Sequence, residues 1–119
     1  MFRRLALAAW LLPVLAAAAP AQTELPTVVL VGDSIRLGYA PLVAKRLDGK
    51  ARVVSVEANG GDSANVLKHL EEWAIRAKPA VIHFNCGLHD LKRFQKDRRY
   101  QVDLERYEAN LRQIIARLR

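Results

Sequence analysis

The run Val28-Val29-Leu30-Val31-Gly32-Asp33-Ser34 decides the fold of this chain. Four apolar and mainly β-branched residues lead into a glycine, a carboxylate and a hydroxyl. This order is typical of a buried parallel strand that delivers polar groups to the edge of a sheet. Because ligands of open α/β sheets bind just outside the carboxyl ends of the strands, the run predicts that Ser34 lies where the chemistry is done.

Two further apolar runs predict strands, at residues 52–56 and 80–85. Helical segments separate them. The first helix is predicted to begin at Pro41, a residue that suits a first turn, and to end at Asp48-Gly49. It would place Leu42, Val43 and Leu47 on one face.

The second helix is predicted to begin after Asp62 or Ser63 as N-cap and to stop before Pro79. The third is predicted to begin near Asp103. Its expected inward-facing residues share helical spacing and are Leu104, Tyr107, Leu111, Ile114, Ile115 and Leu118.

Strands that alternate with helices in the order βαβαβα indicate a parallel sheet with right-handed crossovers. In such a sheet the carboxyl ends of the strands lie at one edge. The loops near residues 32–36, 58–63 and 86–91 are therefore expected to converge there.

The first 21 residues of the 119-residue chain are typical of a cleavable signal peptide. Arg3-Arg4 is a short basic lead, the stretch 5–19 is apolar, and Ala19-Pro20-Ala21 has the small-residue form of a cleavage site. The apolar stretch is shorter than the roughly 20 residues that span a bilayer, which disfavours a retained anchor. We therefore expect a secreted or periplasmic protein with one domain at residues 22–119.

The net charge and the cysteine content exclude few classes of function. Without Arg3 and Arg4 the formal net charge falls from +7 to +5. This mild excess of positive charge does not indicate a particular binding partner. Cys86 is the only cysteine, so no internal disulfide can form. No histidine or cysteine spacing fits a metal site, and no cofactor is expected.

The strand-end residues suit a nucleophile beside an oxyanion hole. Ser34 supplies a hydroxyl and a backbone N–H, and Gly61 has no side chain to block a second backbone donor. His89, after the third strand, is a candidate third donor. Asp33 is expected to hold the turn through local hydrogen bonds or to contact substrate.

Gly32-Asp33-Ser34, Gly61 before Asp62, and Gly87-Leu88-His89-Asp90 resemble, in order and spacing, the first three sequence blocks of the SGNH/GDSL hydrolases. The resemblance covers about residues 27–119. It implies a three-layer α/β/α flavodoxin-like sandwich and a serine hydrolase that acts on small-molecule, lipid or carbohydrate esters.

By this resemblance Ser34 is the nucleophile and Gly61 an oxyanion donor. His89 is expected either to be a further oxyanion donor or to make a structural hydrogen bond to the neighbouring loop. Candidate substrate-binding residues are Asp33, Asn59 and Asp90. Asp90 would orient His89 or cap the turn after it, and Asn59 and Asn85 would bridge loop backbones.

The chain departs from the family pattern in two ways. His89 stands where the family usually has asparagine, and no Asp-x-x-His block, the family's source of the general base, occurs in the sequence. We therefore expect a fold truncated after its third βα unit, weakly active or inactive, with the third strand as an open apolar edge.

Other functions compete with this interpretation. A non-catalytic module on the same fold could hold an acylated sugar or an anion. A nucleotide binder is disfavoured because the first loop lacks a glycine-rich phosphate cradle. The basic run 92–100 is expected to be a solvated loop and not a nucleic-acid surface.

The remaining histidines and the cysteine have simpler explanations. His83 is expected to face a helix or the core, and His69 the surface. Cys86 is expected to be a small, unreactive thiol.

Overall fold

The computed structural model describes residues 24–119, and the expected signal peptide, residues 1–21, lies outside them. Three parallel strands form one sheet in the order β2-β1-β3. Their bounds are Thr27–Val31 for β1, Arg52–Ser55 for β2 and Val81–Phe84 for β3. The predicted parallel α/β arrangement is confirmed.

Three α-helices connect and follow the strands: α1 at Ser34–Arg46, α2 at Ser63–Trp73 and α3 at Leu104–Leu118. A short 3₁₀ turn, Ile75–Ala77, follows α2. An aspartate caps each helix by accepting a backbone N–H, namely Asp33 from Ile35, Asp62 from Asn65 and Asp103 from Arg106. The sequence predicted the last two starts correctly.

The predicted start of the first helix was wrong. Helix α1 begins at Ser34, and Pro41 lies inside it. The Asp33 cap starts the helix early, and the helix continues through Pro41 although proline lacks the N–H for one intrahelical hydrogen bond. As a result the buried positions are Arg36 and Ala40, while Leu42 is 63% exposed.

The main hydrophobic core lies between one face of the sheet and helices α2 and α3. Its buried members are Val29, Val31, Val66, Leu70, Trp73, Ala74 and Ile114. Helix α1 covers the other face, since Arg36 bonds to Ser55 and Tyr39 to His83, and both partners share that face with Leu30. The sheet therefore has helices on both faces.

Helix α3 is rotated from its predicted orientation. Ile114 is fully buried and Leu111 and Leu118 pack on the core, as expected. Leu104 and Ile115 are 77% and 42% exposed, so their inward placement was wrong. Buried Asn110 takes an inward position instead, because its side-chain amide donates to the Ser63 hydroxyl.

Within residues 24–119, β3 pairs only with β1 and forms one edge of the sheet. Val81 is 55% exposed and His83 is exposed on the α1 side, where its ring meets Tyr39 edge-on. Ile82 and Phe84 point the other way and pack on the core. The prediction of an apolar open edge is confirmed for the described residues.

No helix in residues 24–119 combines the length and apolar character needed to cross a membrane.

Candidate functional site

The turn after β1 exposes Ser34 to solvent, and hydrogen bonds to buried Asp33 hold this turn. Ser34 is exposed and is the first residue of α1. Asp33 before it is 1% exposed, and its Oδ1 accepts hydrogen bonds of 2.9 Å from the Ile35 amide and from Asn85 Nδ2. The expected turn-holding role of Asp33 is confirmed, and its burial leaves almost no surface for direct substrate contact.

Two glycines let the strand-end loops approach each other. The Gly60 amide donates to the Gly32 carbonyl at 2.8 Å. A Cβ on Gly60 would lie 2.6 Å from that carbonyl oxygen, and a Cβ on Gly32 would lie 2.0 Å from Asn85 Oδ1. Neither Gly60 nor this role of Gly32 was identified from the sequence, because both depend on which loops become neighbours.

Gly61, the candidate oxyanion donor, has a positive φ of 60° that favours glycine. Its amide donates to Asn59 Oδ1 at 2.9 Å. Asn59 therefore bridges loop backbone, as predicted, and holds the N–H that an oxyanion would need. Asn59 is exposed, so an incoming oxygen could displace its side chain.

Asp90 ties the third loop to the start of α2. It is 2% exposed, and its carboxylate accepts from the Ser63 amide at 3.0 and 3.1 Å and from the Ser63 hydroxyl at 2.5 Å. Neither expected role of Asp90, orienting His89 or capping the following turn, accounts for these bonds. The partner is 27 residues away in the chain, so no local pattern revealed it.

His89 is half-buried on the same loop, close enough to Asp33 to affect it electrostatically. Burial acts to raise the pKa of Asp33. Hydrogen bonds from Asn85 and the Ile35 amide, together with attraction to His89, outweigh burial and leave the pKa below its usual value. Asp33 is therefore ionised at neutral pH.

The two hydrogen bonds of histidine side chains within residues 24–119 join His69 to the Asn65 carbonyl and His83 to the Tyr39 hydroxyl. No imidazole in this part of the chain is thus bonded to Ser34. His69 also stacks on Trp73, with ring centroids 4.5 Å apart. His83 faces helix α1, as predicted.

Arg36 is the main buried group that sequence reasoning missed. Its guanidinium is 1% exposed and donates to the Ser55 hydroxyl and to three backbone carbonyls, those of Gly32, Val56 and Ala58. It thereby binds the loop after β1 to the loop after β2. Recognising Asp33 as the helix cap would have placed Arg36 on the inward face of α1.

The buried site also contains unpartnered polar atoms. Asp33 Oδ2 and Arg36 Nε are buried without a hydrogen-bond partner among the described residues. Burial lowers the pKa of Arg36, and electrostatic interactions with Tyr39 and Asp33 offset this change only in part. The two charged groups form the polar interior beneath Ser34.

Cys86 is not an activated nucleophile. Burial, with further contributions from the Asp90, Asp33 and Asp62 carboxylates, raises the pKa of its thiol to about 11. A thiol with this pKa is almost entirely protonated at neutral pH. This agrees with the predicted unreactive role.

A cleft of about 330 Å³ opens beside the third loop. Mainly apolar side chains of that loop and of α3 line it, including Leu91, Val102, Leu104 and Tyr107.

Residues 91–100 are exposed throughout, as expected for a solvated loop, and Arg93 lies 4.4 Å from the Tyr100 ring centre. Within residues 24–119, no group of three or more histidine, cysteine, aspartate or glutamate side chains could hold a metal ion.

No family model, curated protein or solved structure matches this chain.

Proposed function

We propose that this chain is a serine hydrolase of the SGNH/GDSL type that acts on ester bonds, with Ser34 as its nucleophile. One observation carries the proposal: Ser34 is exposed at the start of α1, directly after a buried parallel strand, on a turn that buried Asp33 holds. The strand order β2-β1-β3 supports the finer assignment to a flavodoxin-like sandwich.

In the proposed reaction the exposed Ser34 hydroxyl attacks the ester carbonyl and passes its proton to a solvent water. The carbonyl oxygen becomes an oxyanion, which the Ser34 amide at the positive end of α1 stabilises. Gly61 adds a second N–H once Asn59 moves aside, and His89 adds a third donor. Collapse of the tetrahedral intermediate breaks the ester C–O bond, and the leaving alkoxide takes a proton from solvent to become the alcohol. Water then attacks the acyl-Ser34 carbonyl, which releases the carboxylic acid and restores the Ser34 hydroxyl.

The proton acceptor limits the proposed rate. Within residues 24–119 no imidazole is hydrogen-bonded to Ser34, so the described site lacks the arrangement that activates a serine efficiently. We therefore expect slow turnover that favours esters with good leaving groups. The apolar cleft near Leu91 and Tyr107 is a candidate place for the acyl group.

Small-molecule, lipid and carbohydrate esters all remain candidate substrates. A signal peptide at residues 1–21 would place the protein outside the cytoplasm, where lipid and polysaccharide esters are exposed. No nucleic-acid partner is proposed.

The test is hydrolysis of p-nitrophenyl acetate by the full chain, together with labelling by a fluorophosphonate probe. The wild type should release nitrophenol faster than buffer, and peptide mapping should place the label on Ser34. Ser34→Ala should remove both signals. Ser55→Ala is the matched control, since Ser55 is half-buried at the end of β2, where its hydroxyl accepts a hydrogen bond from Arg36. Hydrolysis that survives Ser34→Ala would contradict the proposal.

A second candidate function is a non-catalytic module that holds an acylated sugar or an anion. The absence of an imidazole bonded to Ser34 in residues 24–119 favours it, as does the internal bond that the Gly61 amide makes to Asn59. Calorimetry with acetylated oligosaccharides and acetate separates the two functions. Binding that persists in Ser34→Ala without any serine labelling of the wild type supports the module.

A further inference from the structure

A continuous chain of four side chains runs from the exposed edge of the sheet to the buried turn beneath Ser34. His83 Nε2 lies 2.8 Å from the Tyr39 hydroxyl, and that hydroxyl lies 3.3 Å from Asn85 Oδ1. Asn85 Nδ2 in turn donates to Asp33 Oδ1 at 2.9 Å. The chain thus links β3 and α1 to the loop after β1.

The chemistry of the last member fixes the direction of every bond. An ionised carboxylate can only accept, so Asn85 must present its amide nitrogen to Asp33 and its oxygen to Tyr39. The single hydroxyl proton of Tyr39 is then donated to Asn85. The remaining partner, His83, must donate through a protonated Nε2.

We propose that Asn85, Tyr39 and His83 form a one-way hydrogen-bonded chain that positions the Asp33 carboxylate and, with it, the turn that carries Ser34. The three are positioning residues, because they act on Ser34 through Asp33. The consequence for catalysis rests on the proposed hydrolase function, whereas the existence and direction of the chain do not.

Close packing supports a fixed chain. The Gly32 backbone lies so near Asn85 that an added Cβ would be 2.0 Å from Asn85 Oδ1, which limits rotation of the amide. The Tyr39 and His83 rings meet edge-to-face with centroids 5.8 Å apart. Burial raises the pKa of Tyr39, which keeps its hydroxyl neutral and able to donate.

The first test removes one hydroxyl that does not touch Asp33. The Asp33 carboxyl is titrated by ¹³C NMR in the full chain and in Tyr39→Phe. Without the Tyr39 hydroxyl, the Asn85 side chain loses one hydrogen bond and is held less firmly. The pKa of Asp33 should therefore rise by about 0.5 unit, a threefold change in its ionisation constant. The other ionisable groups that interact with Asp33 are Arg36, His89 and Cys86, and all three are unchanged in this variant.

Tyr107→Phe is the matched control. It also removes a hydroxyl beside the third loop, one that donates to the Cys86 carbonyl and lies outside the chain. It should leave the Asp33 titration unchanged. No shift in Tyr39→Phe, or equal shifts in both variants, would overturn the proposal.

The second test reads the direction of the chain from the ¹⁵N spectrum of His83 at a pH where the imidazole is neutral. The proton should be on Nε2, and the Nε2 resonance should move in Tyr39→Phe and stay in place in Tyr107→Phe. A proton on Nδ1 would overturn the assigned direction. If these results hold while Ser34→Ala leaves hydrolysis unchanged, the hydrogen-bonded chain of side chains is supported and the proposed hydrolase function is contradicted.

Discussion

The Asp90 carboxylate accepts hydrogen bonds from both the amide and the hydroxyl of Ser63, 27 residues earlier in the chain. Asn110 of α3 donates to the same hydroxyl at 3.0 Å. This buried group joins the loop after β3 to helices α2 and α3. Strands β2 and β3 do not pair with each other, so these hydrogen bonds of Asp90 directly tie the loop after the third strand to the end of the loop after the second.

Asp90→Ala should destabilise the fold, because it leaves the buried Ser63 amide and hydroxyl without their acceptor. We expect a loss of about 2 kcal/mol in the free energy of unfolding. The measurement is urea unfolding at pH 7. Asp97→Ala is the control, since Asp97 is exposed on the same loop and pairs only with Arg99; it should change stability by less than about 0.5 kcal/mol. Equal effects of the two changes would show that the Asp90–Ser63 group does not hold the loops together.

Gly32→Ala should destabilise the chain by about 2 kcal/mol, since its Cβ would overlap Asn85 Oδ1 and force the Asn85–Asp33 bond to move. Gly38→Ala offers a matched control in helix α1, because a Cβ there meets no atom within 4 Å. That change should stabilise the helix by about 0.5–1 kcal/mol. Thermal and urea unfolding of both variants test the pair, and stabilisation by both changes would rule out the close approach.

Arg36→Met should cost about 3 kcal/mol, because it removes the donor for the Ser55 hydroxyl and three carbonyls in a buried setting. Arg46→Met changes an exposed arginine in the last turn of the same helix and should cost only about 0.3–1 kcal/mol through the helix dipole. Urea unfolding compares them. A loss for Arg36→Met no larger than for Arg46→Met would mean that the buried guanidinium does not stabilise the loops.

The pH dependence of stability should contain a contribution from Asp33. Its pKa is lower in the folded chain than its ordinary value of 3.8, so the folded state binds this proton less tightly. The resulting stabilisation is fully present above the unfolded pKa and is lost as the pH falls through the folded pKa. Urea midpoints measured from pH 6 to pH 2.5 should fall more steeply for the wild type than for Asp33→Asn. Parallel curves would remove Asp33 from the acid response.

Cys86 should react slowly with a chromogenic disulfide reagent. Its pKa of about 11, against an ordinary 9.0, leaves about 100-fold less thiolate at pH 8 in the folded chain than in the unfolded chain. The rates are measured with and without urea at the same pH. A folded thiol that reacts as fast as the unfolded one would indicate an exposed, ordinary cysteine.

The sequence by itself determined the strands, the parallel class and two of the three helix starts. Apolar runs mark β1, β2 and β3, and Asp62 and Asp103 each cap a helix through the amide three residues beyond them. These features depend on side-chain periodicity and on bonds between residues close in the chain. The start of α1 also depends on residues close in the chain, because Asp33 caps it. The prediction was wrong because it began the helix at Pro41, a residue that lies inside α1.

Only the tertiary structure decided how the polar residues pair beneath Ser34. Asn85 reaches Asp33 across 52 residues, Arg36 reaches Ala58 across 22, and Asp90 reaches Ser63 across 27. Such pairs form because β1 lies between β2 and β3, which brings the three strand-end loops to one edge. A buried polar group must find a partner among its neighbours in space, and local periodicity does not specify those neighbours.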